Sequence, residues 1–186
     1  ANESRRHAKI VILAEKDKVE MEDEIRIRIK KNKTTKVICR SGSPLDFNDL
    51  TIVGLNSARS IIVLAPEDNE ADIYTIKSVL AITNNPDRKK EKYHIVAEIT
   101  EDKNMEAANL VGGDEASYVL TSDLVGRAIV QSTRQPGLSI VYTDLLSFGG
   151  SEIYFKSEPT LAGKTFHDAM FYFNNSMVAG LAGADR

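Results

Sequence analysis

Five short runs rich in Ile, Val and Leu recur along the chain, and segments of helical character follow them. The first, KIVILAE at residues 9–15, carries no polar residue between its ends, which is the pattern of a strand buried on both faces, as in a parallel sheet. Residues 19–31 then predict a helix, with Val19, Ile25 and Ile29 near one stripe and Glu22, Asp23, Arg26 and Lys30 around the rest. The unit repeats: strands are expected at 36–39, 60–65, 94–100 and 117–120, and helices at 46–55, 71–83 and 105–111. Strands alternating with helices at this spacing mean βαβ units. The fold class is therefore α/β, a Rossmann-like doubly wound parallel sheet with helices on both faces.

The pattern changes at Ser122. Ser122-Asp123 can cap a helix whose apolar residues Leu124, Val125, Ala128 and Ile129 run towards Arg134, and Gln135-Pro136-Gly137 breaks it. A second helix is expected over 138–148, closed by Gly149-Gly150. Beyond it, residues 152–156 and 177–181 suggest strands and 165–173 a helix, the start of a small α+β lobe. The expected organisation is thus 1–121, a helix-turn-helix arm over 122–150, and 151–186.

Composition excludes several classes. The 186 residues are 42% hydrophobic and 27% charged with a formal net charge of -3, an ordinary globular balance. Nucleic acid is not an expected partner, because Arg5-Arg6 and Arg88-Lys89-Lys90 are short runs that suit solvated loops. One cysteine, Cys39, excludes an internal disulfide or a cysteine-rich zinc site and fits a reducing compartment. No apolar run approaches the roughly 20 residues of a membrane-spanning helix, and Ala1-Asn2-Glu3 lacks signal-peptide form. A soluble piece is expected, with room for a membrane part in a longer parent.

Candidate chemistry is sparse. Glu15 ends an apolar strand as the ribose-binding acid of a dinucleotide fold does, yet no Gly-x-Gly-x-x-Gly precedes it. Glu15 is then either a solvent-facing strand-end residue or part of a Rossmann-like domain without its first strand and glycine loop. A nucleophilic Cys39 would want a histidine, and His7, His94 and His167 are scattered, so a buried apolar role suits it better. Ser41 and Ser43 lack a nucleophile elbow and suit turn and cap positions around Gly42 and Pro44. The carboxylates of Glu67, Asp68, Glu70 and Asp72 have no EF-hand spacing and suit a helix N-terminus. Gly112-Gly113-Asp114-Glu115 suits a turn.

Several longer segments resemble one family. The stretches LAEKDKVEMEDEI, VICRSGSPLDFNDL, ARSIIVLAPEDNEAD, HIVAEITEDKN, LVGGDE, DLVGRAIVQSTRQPGL and YTDLLSFGGSEIYFK are similar, in this order, to the RCK (regulator of potassium conductance) region of the Castor and Pollux ion channels. A broader likeness is to Trk-type nucleotide-binding domains. The resemblance implies a non-enzymatic regulatory domain on the cytoplasmic side of a cation channel. Two such domains per subunit would form a ring beneath a tetrameric pore, and a ligand would bias opening. It places the ligand cleft at the strand ends, at Glu15, Arg40, Ser41, Gly42, Ala65 and Glu67. Calcium or a nucleotide is the implied ligand, with no metal ligands assigned and the usual dinucleotide loop absent. It also implies a dimer seam at Leu124, Val125, Ala128, Ile129 and Leu138. Alternatives are a Trk-like regulatory subunit of a separate transporter and, less well supported, an oxidoreductase fragment.

One physical consequence is independent of family. In a doubly wound sheet the first strand is central, so its absence leaves the run at 9–15 and the run at 60–65 each with an unpaired interior edge. These two strands are expected to pair directly or to have their gap filled by another chain.

Overall fold

In the computed structural model, which describes residues 8–29, 34–68, 70–147 and 153–181, the alternating runs become five strands that all pair in parallel. The strands are β1 (Ala8–Ala14), β2 (Thr35–Ser41), β3 (Ile61–Val63), β4 (Ile95–Ile99) and β5 (Ala116–Leu120). Between and after them lie α1 (Lys18–Arg28), α2 (Phe47–Ile52), α3 (Ala71–Thr83), α4 (Met105–Gly112), α5 (Thr121–Arg134), α6 (Leu138–Leu146) and α7 (Phe166–Met170). This is a Rossmann-like α/β arrangement. The chain divides into two units, residues 1–143 and 144–186.

The sheet is split. β1 pairs with β2 from Ala8 opposite Thr35 to Ala14 opposite Ser41, and β3, β4 and β5 form a second sheet in that order. β1 and β3 do not pair, so of the two expected arrangements, direct pairing or a gap filled by another chain, the first is not met. Side chains hold the two sheets instead: Leu13 of β1 packs against the apolar cluster beneath β3 and β4. That cluster is Leu50, Leu55, Val63, Val79, Ile82, Tyr93, Ile95 and Ala97. It joins α2 and α3 to one face of the β3–β4–β5 sheet. Val79 and Ile95 are fully buried, each contributing on the order of 1.5–3 kcal/mol by removal from water.

The burial of β1 also departs from expectation. Ile10 and Val11 are 40% and 41% exposed rather than covered on both faces, because the neighbouring strand position beside β1 is unoccupied among the described residues. In α1 the buried residue is Met21, whereas Val19 and Ile29 of the expected stripe are exposed. The helix is defined locally by Asp17, whose carboxylate accepts from the amides of Val19 and Glu20.

Two polar clusters fasten the second sheet to its helices. Asp72, in the first turn of α3, is 4% exposed and accepts four hydrogen bonds. Thr100 N and Oγ1 donate at 2.8 Å, Glu101 N at 3.0 Å and Asn104 Nδ2 at 2.7 Å. Burial pushes this carboxyl up, but the donors from Asn104, Thr100 and Glu101 together outweigh it and hold Asp72 below the usual carboxylate range. Asp72 is thus a clamp between α3 and the end of β4, not merely one of several acids at a helix N-terminus.

At the opposite strand ends Arg88 forms a two-pronged pair with Glu115, at 2.8 and 2.9 Å. Arg88 also donates to the Thr83 carbonyl, and the Tyr93 amide donates to Glu115. Tyr93 OH and the Lys89 amide both donate to Asn56 Oδ1. Arg88 is therefore a half-buried structural residue, which corrects its reading as solvated loop charge. The Gly113 turn that leads to Glu115 has φ 54, a conformation suited to glycine.

Past β5 the correspondence loosens. The start of α5 has no side-chain cap; Ser122 Oγ donates instead to the Thr100 carbonyl at 2.6 Å. The break between α5 and α6 forms as expected, with Gly137 at φ 89. Residues 148–152, including Gly149-Gly150 and Glu152, lie outside the described residues. In the second unit the expected strands at 152–156 and 177–181 do not form over their described residues. Phe155 and Met177 are 90% and 89% exposed there, so these segments have neither a ladder partner nor an apolar cover. The expected helix shortens to α7, whose Thr165 and Asp168 make a reciprocal capping box.

Replacing Asp72 by Ala leaves the Thr100 and Glu101 amides without their acceptor and is expected to cost about 2–4 kcal/mol in urea unfolding. The acid response has a defined sign. Asp72 and Glu115 both have lowered folded-state values, so their stabilisation is present above the ordinary carboxylate range and is lost as pH falls through those lowered values. The melting temperature is expected to drop below about pH 4, and less steeply in Asp72→Asn than in the parent chain.

Candidate functional site

The candidate cleft lies at the carboxyl ends of β1, β2 and β3, where loops must turn into helices. β2 runs into Gly42, whose amide donates to the Ala14 carbonyl at 3.0 Å and so extends the ladder one step past the strand. The next amide, Ser43 N, donates to Asp49 Oδ2 at 2.9 Å. Asp46 caps α2 by accepting from the Asn48 and Asp49 amides. The turn is thus tied to its following helix through Asp49, while Asp46 caps that helix.

Glu15 sits just beyond β1 and is exposed. Its Oε1 accepts from Ser43 Oγ at 2.5 Å and from Tyr74 OH at 3.4 Å. Tyr74 belongs to α3, which follows β3, so this one carboxylate touches both halves of the split sheet. Burial raises the Tyr74 phenol above its ordinary value, and the Glu15 charge adds to it. Tyr74 stays a neutral donor.

The residues expected at the cleft separate into two groups. Glu15 and Gly42 come together, with Ser41 exposed at the end of β2 beside them. Arg40 is exposed and donates through Nη1 to the neighbouring Cys39 carbonyl. Ala65 lies in the loop just past β3, where its amide donates to Glu98 Oε2 at 3.1 Å, and Glu67 is exposed in the loop before α3. Sequence reasoning assigned Ser43 to the turn alone and did not find Tyr74, Asp49 or Glu98. Ser43 had the signal of lying two residues from Ser41; Tyr74 had none, because its partner is distant in sequence.

Cys39 is 1% exposed, and burial raises its thiol above the ordinary value, which fits a packing role. Among the described residues no three of His, Cys, Asp and Glu converge in a way that would hold a metal ion, and no helix is long and apolar enough to cross a membrane. A groove of about 890 Å³ lies along α5, away from Glu15, and is lined by Asp102, Ser122, Arg127, Gln131 and Tyr142 among others. On the apolar side of this arm Leu124, Val125 and Ile129 are 54%, 55% and 62% exposed, and Ala128 and Leu138 are half-buried.

Gly42 is required by close approach. A Cβ there would stand 2.6 Å from Asp49 Oδ2 and 3.0 Å from Leu13 Cδ1. Gly42→Ala is expected to push Asp49 off the Ser43 amide, costing about 1–3 kcal/mol in denaturant unfolding and speeding hydrogen exchange at that amide.

Comparison with known proteins gives this geometry its context. Residues 1–109 match the calcium-activated potassium channel slowpoke-like RCK domain, and residues 122–186 match a family described as Castor and Pollux, part of voltage-gated ion channel. The probable ion channel CASTOR of Oryza sativa subsp. japonica is 40% identical over 183 residues, 97% of this chain and 20% of that protein. Ion channel CASTOR of Lotus japonicus is 39% identical over 97% of this chain and 21% of its own length. The probable ion channel POLLUX of Arabidopsis thaliana is 38% identical over 97% and 22%. This chain spans about a fifth of the length of these relatives. It belongs to the RCK-domain family and is similar over nearly its whole length to Castor and Pollux ion channels.

Proposed function

We propose that this chain is a regulatory domain of a cation channel of Castor/Pollux type, held on the cytoplasmic side of the membrane and acting without catalysis of its own. The observation that carries this reading is similarity to ion channels over 97% of the chain, across the strand-helix repeat and the α5–α6 arm alike. In it, such domains associate into a ring attached to a membrane pore, and a ligand at the ring shifts the balance between conformations of the pore. The ion conducted is potassium or a related cation.

The cleft at the strand ends supplies the sensing part of the proposal. Glu15 touches both halves of the split sheet through Ser43 and Tyr74, so a ligand that competes for this carboxylate changes how the two halves are held. Calcium and a nucleotide are the two ligand classes for this position. The exposed apolar side of α5 supplies the assembly part, because Leu124, Val125 and Ile129 have no cover within the described chain and suit a homo-oligomer seam.

Two measurements test this. Leu124→Asp with Ile129→Asp is expected to reduce the mass in sedimentation from dimer or higher to monomer; a mass unchanged by the pair refutes the seam. In the full-length channel, Glu15→Ala is expected to move the midpoint of calcium- or nucleotide-dependent opening at least threefold while leaving single-channel conductance unchanged, a shift of about 0.7 kcal/mol. Currents insensitive to both ligands, in parent and variant alike, refute a sensing role for the cleft.

A further inference from the structure

The α5–α6 arm leaves the sheet with little burial to direct it. Among the described residues, none in α5 or α6 is buried. The side of α5 that carries Ser122, Gly126, Arg127 and Gln131 lines the groove of about 890 Å³, together with Asp102 of the turn after β4. Arg127 pairs with Asp123 of its own helix at 2.6 Å. Removal of apolar surface from water therefore contributes little to the direction in which α5 departs from β5.

A hydrogen bond supplies that direction. The ladder between β4 and β5 ends with Ile99 opposite Leu120. The next carbonyl on the β4 side belongs to Thr100, and Ser122 Oγ donates to it at 2.6 Å. The hydroxyl expected to cap α5 is thus turned towards the sheet, and it joins the first turn of α5 to the end of a strand that α5 does not follow.

The carbonyl that Ser122 reaches is itself aimed. Thr100 N and Oγ1 donate to Asp72 Oδ1 at 2.8 Å each, and Glu101 N donates to Asp72 Oδ2 at 3.0 Å. The Thr100 carbonyl and the Glu101 amide share one planar trans peptide, in which C=O and N–H point in opposite directions. Asp72, 4% exposed in the first turn of α3, holds the amide end of this unit, and Ser122 holds the carbonyl end. A rotation of the unit about its flanking bonds would break contacts to α3 and to α5 together.

We propose that Ser122 is the positioning residue of the α5–α6 arm and that the Thr100–Glu101 peptide relays its setting from Asp72. The first turn of α3 aims the carbonyl, and the carbonyl aims α5. Tyr74, which reaches Glu15, lies in the same turn as Asp72, so one turn of α3 connects the strand-end cleft with the exposed apolar side of α5 at Leu124, Val125 and Ile129. That last connection rests on the regulatory reading; the positioning of the arm does not.

The test reads helix direction in solution through N–H residual dipolar couplings. It uses the 186-residue chain carrying Leu124→Asp and Ile129→Asp, so that no second copy holds the arm. Ser122→Ala is expected to shrink the span of the α5 couplings about twofold while those of α3 and β4 stay unchanged. Asp72→Ala, a change in α3, is expected to reproduce that loss in α5, and the double variant to add nothing further, because both cut one path. Ser122→Thr keeps the hydroxyl and is expected to keep the parent couplings. If Asp72→Ala does not fold, Thr100→Val removes only the Oγ1 donor and is expected to give the same change at smaller size. Couplings of α5 unaltered by Ser122→Ala overturn the positioning role. Couplings altered by Ser122→Ala but by neither Asp72→Ala nor Thr100→Val overturn the relay, and a loss in Ser122→Thr assigns the effect to side-chain bulk and overturns both. None of these outcomes depends on ligand binding or on a channel, so the regulatory reading stands or falls separately.

Discussion

The packing of α3 against one face of β3, β4 and β5 is the contact on which the remaining structure depends. Val79 and Ile82 seat the middle of the helix over Ile95 and Ala97, and Asp72 fixes its first turn to the end of β4. Only one orientation of α3 satisfies both: the apolar stripe sets the rotation, and the four donors around Asp72 set the position along the axis. Arg88, just past the other end, ties the same helix to β5 through Glu115. The second sheet is therefore fastened to α3 at both ends of the helix.

The β1–β2 sheet is held differently. It meets the second sheet and its helices through side chains, among them Leu13, the Glu15–Tyr74 contact and Leu50 of α2, with no shared ladder among the described residues. Such links are weak beside main-chain pairing, since exposed hydrogen bonds compete with water. The strand-end cleft is therefore joined across the split by side-chain contacts alone among the described residues. A regulatory domain has use for such links at that place, because a binding event there can choose between arrangements that differ little in energy.

Sequence periodicity located every strand of the first unit and gave the bounds of α3 as residues 71–83, because these elements bury a regular stripe. What it missed depends on distant partners. Asp72 looks like any acid in a first turn until Thr100, Glu101 and Asn104 fold onto it, and Arg88 looks like loop charge until Glu115 arrives from the far side of β4. The burial of β1 was misjudged for the same reason in reverse: an apolar run announces a buried strand, but Ile10 and Val11 are covered only if neighbours are present. The strands expected at 152–156 and 177–181 had suitable alternation and no partner to pair with. Of the candidate site, Glu15 and Gly42 were legible from the strand-end pattern, whereas Tyr74 was not.

The solitary thiol has a consequence of its own. Cys39 lies in β2 on the face covered by α1, shielded from solvent by contact and made reluctant to ionise by the same burial. Alkylating reagents attack the thiolate, so the folded chain protects this sulfur twice over, and reaction must await an opening around β2. With one cysteine in the sequence, the rate of modification reports every opening that exposes this one position. The β1–β2 sheet thus carries its own chemical reporter, placed beside the split.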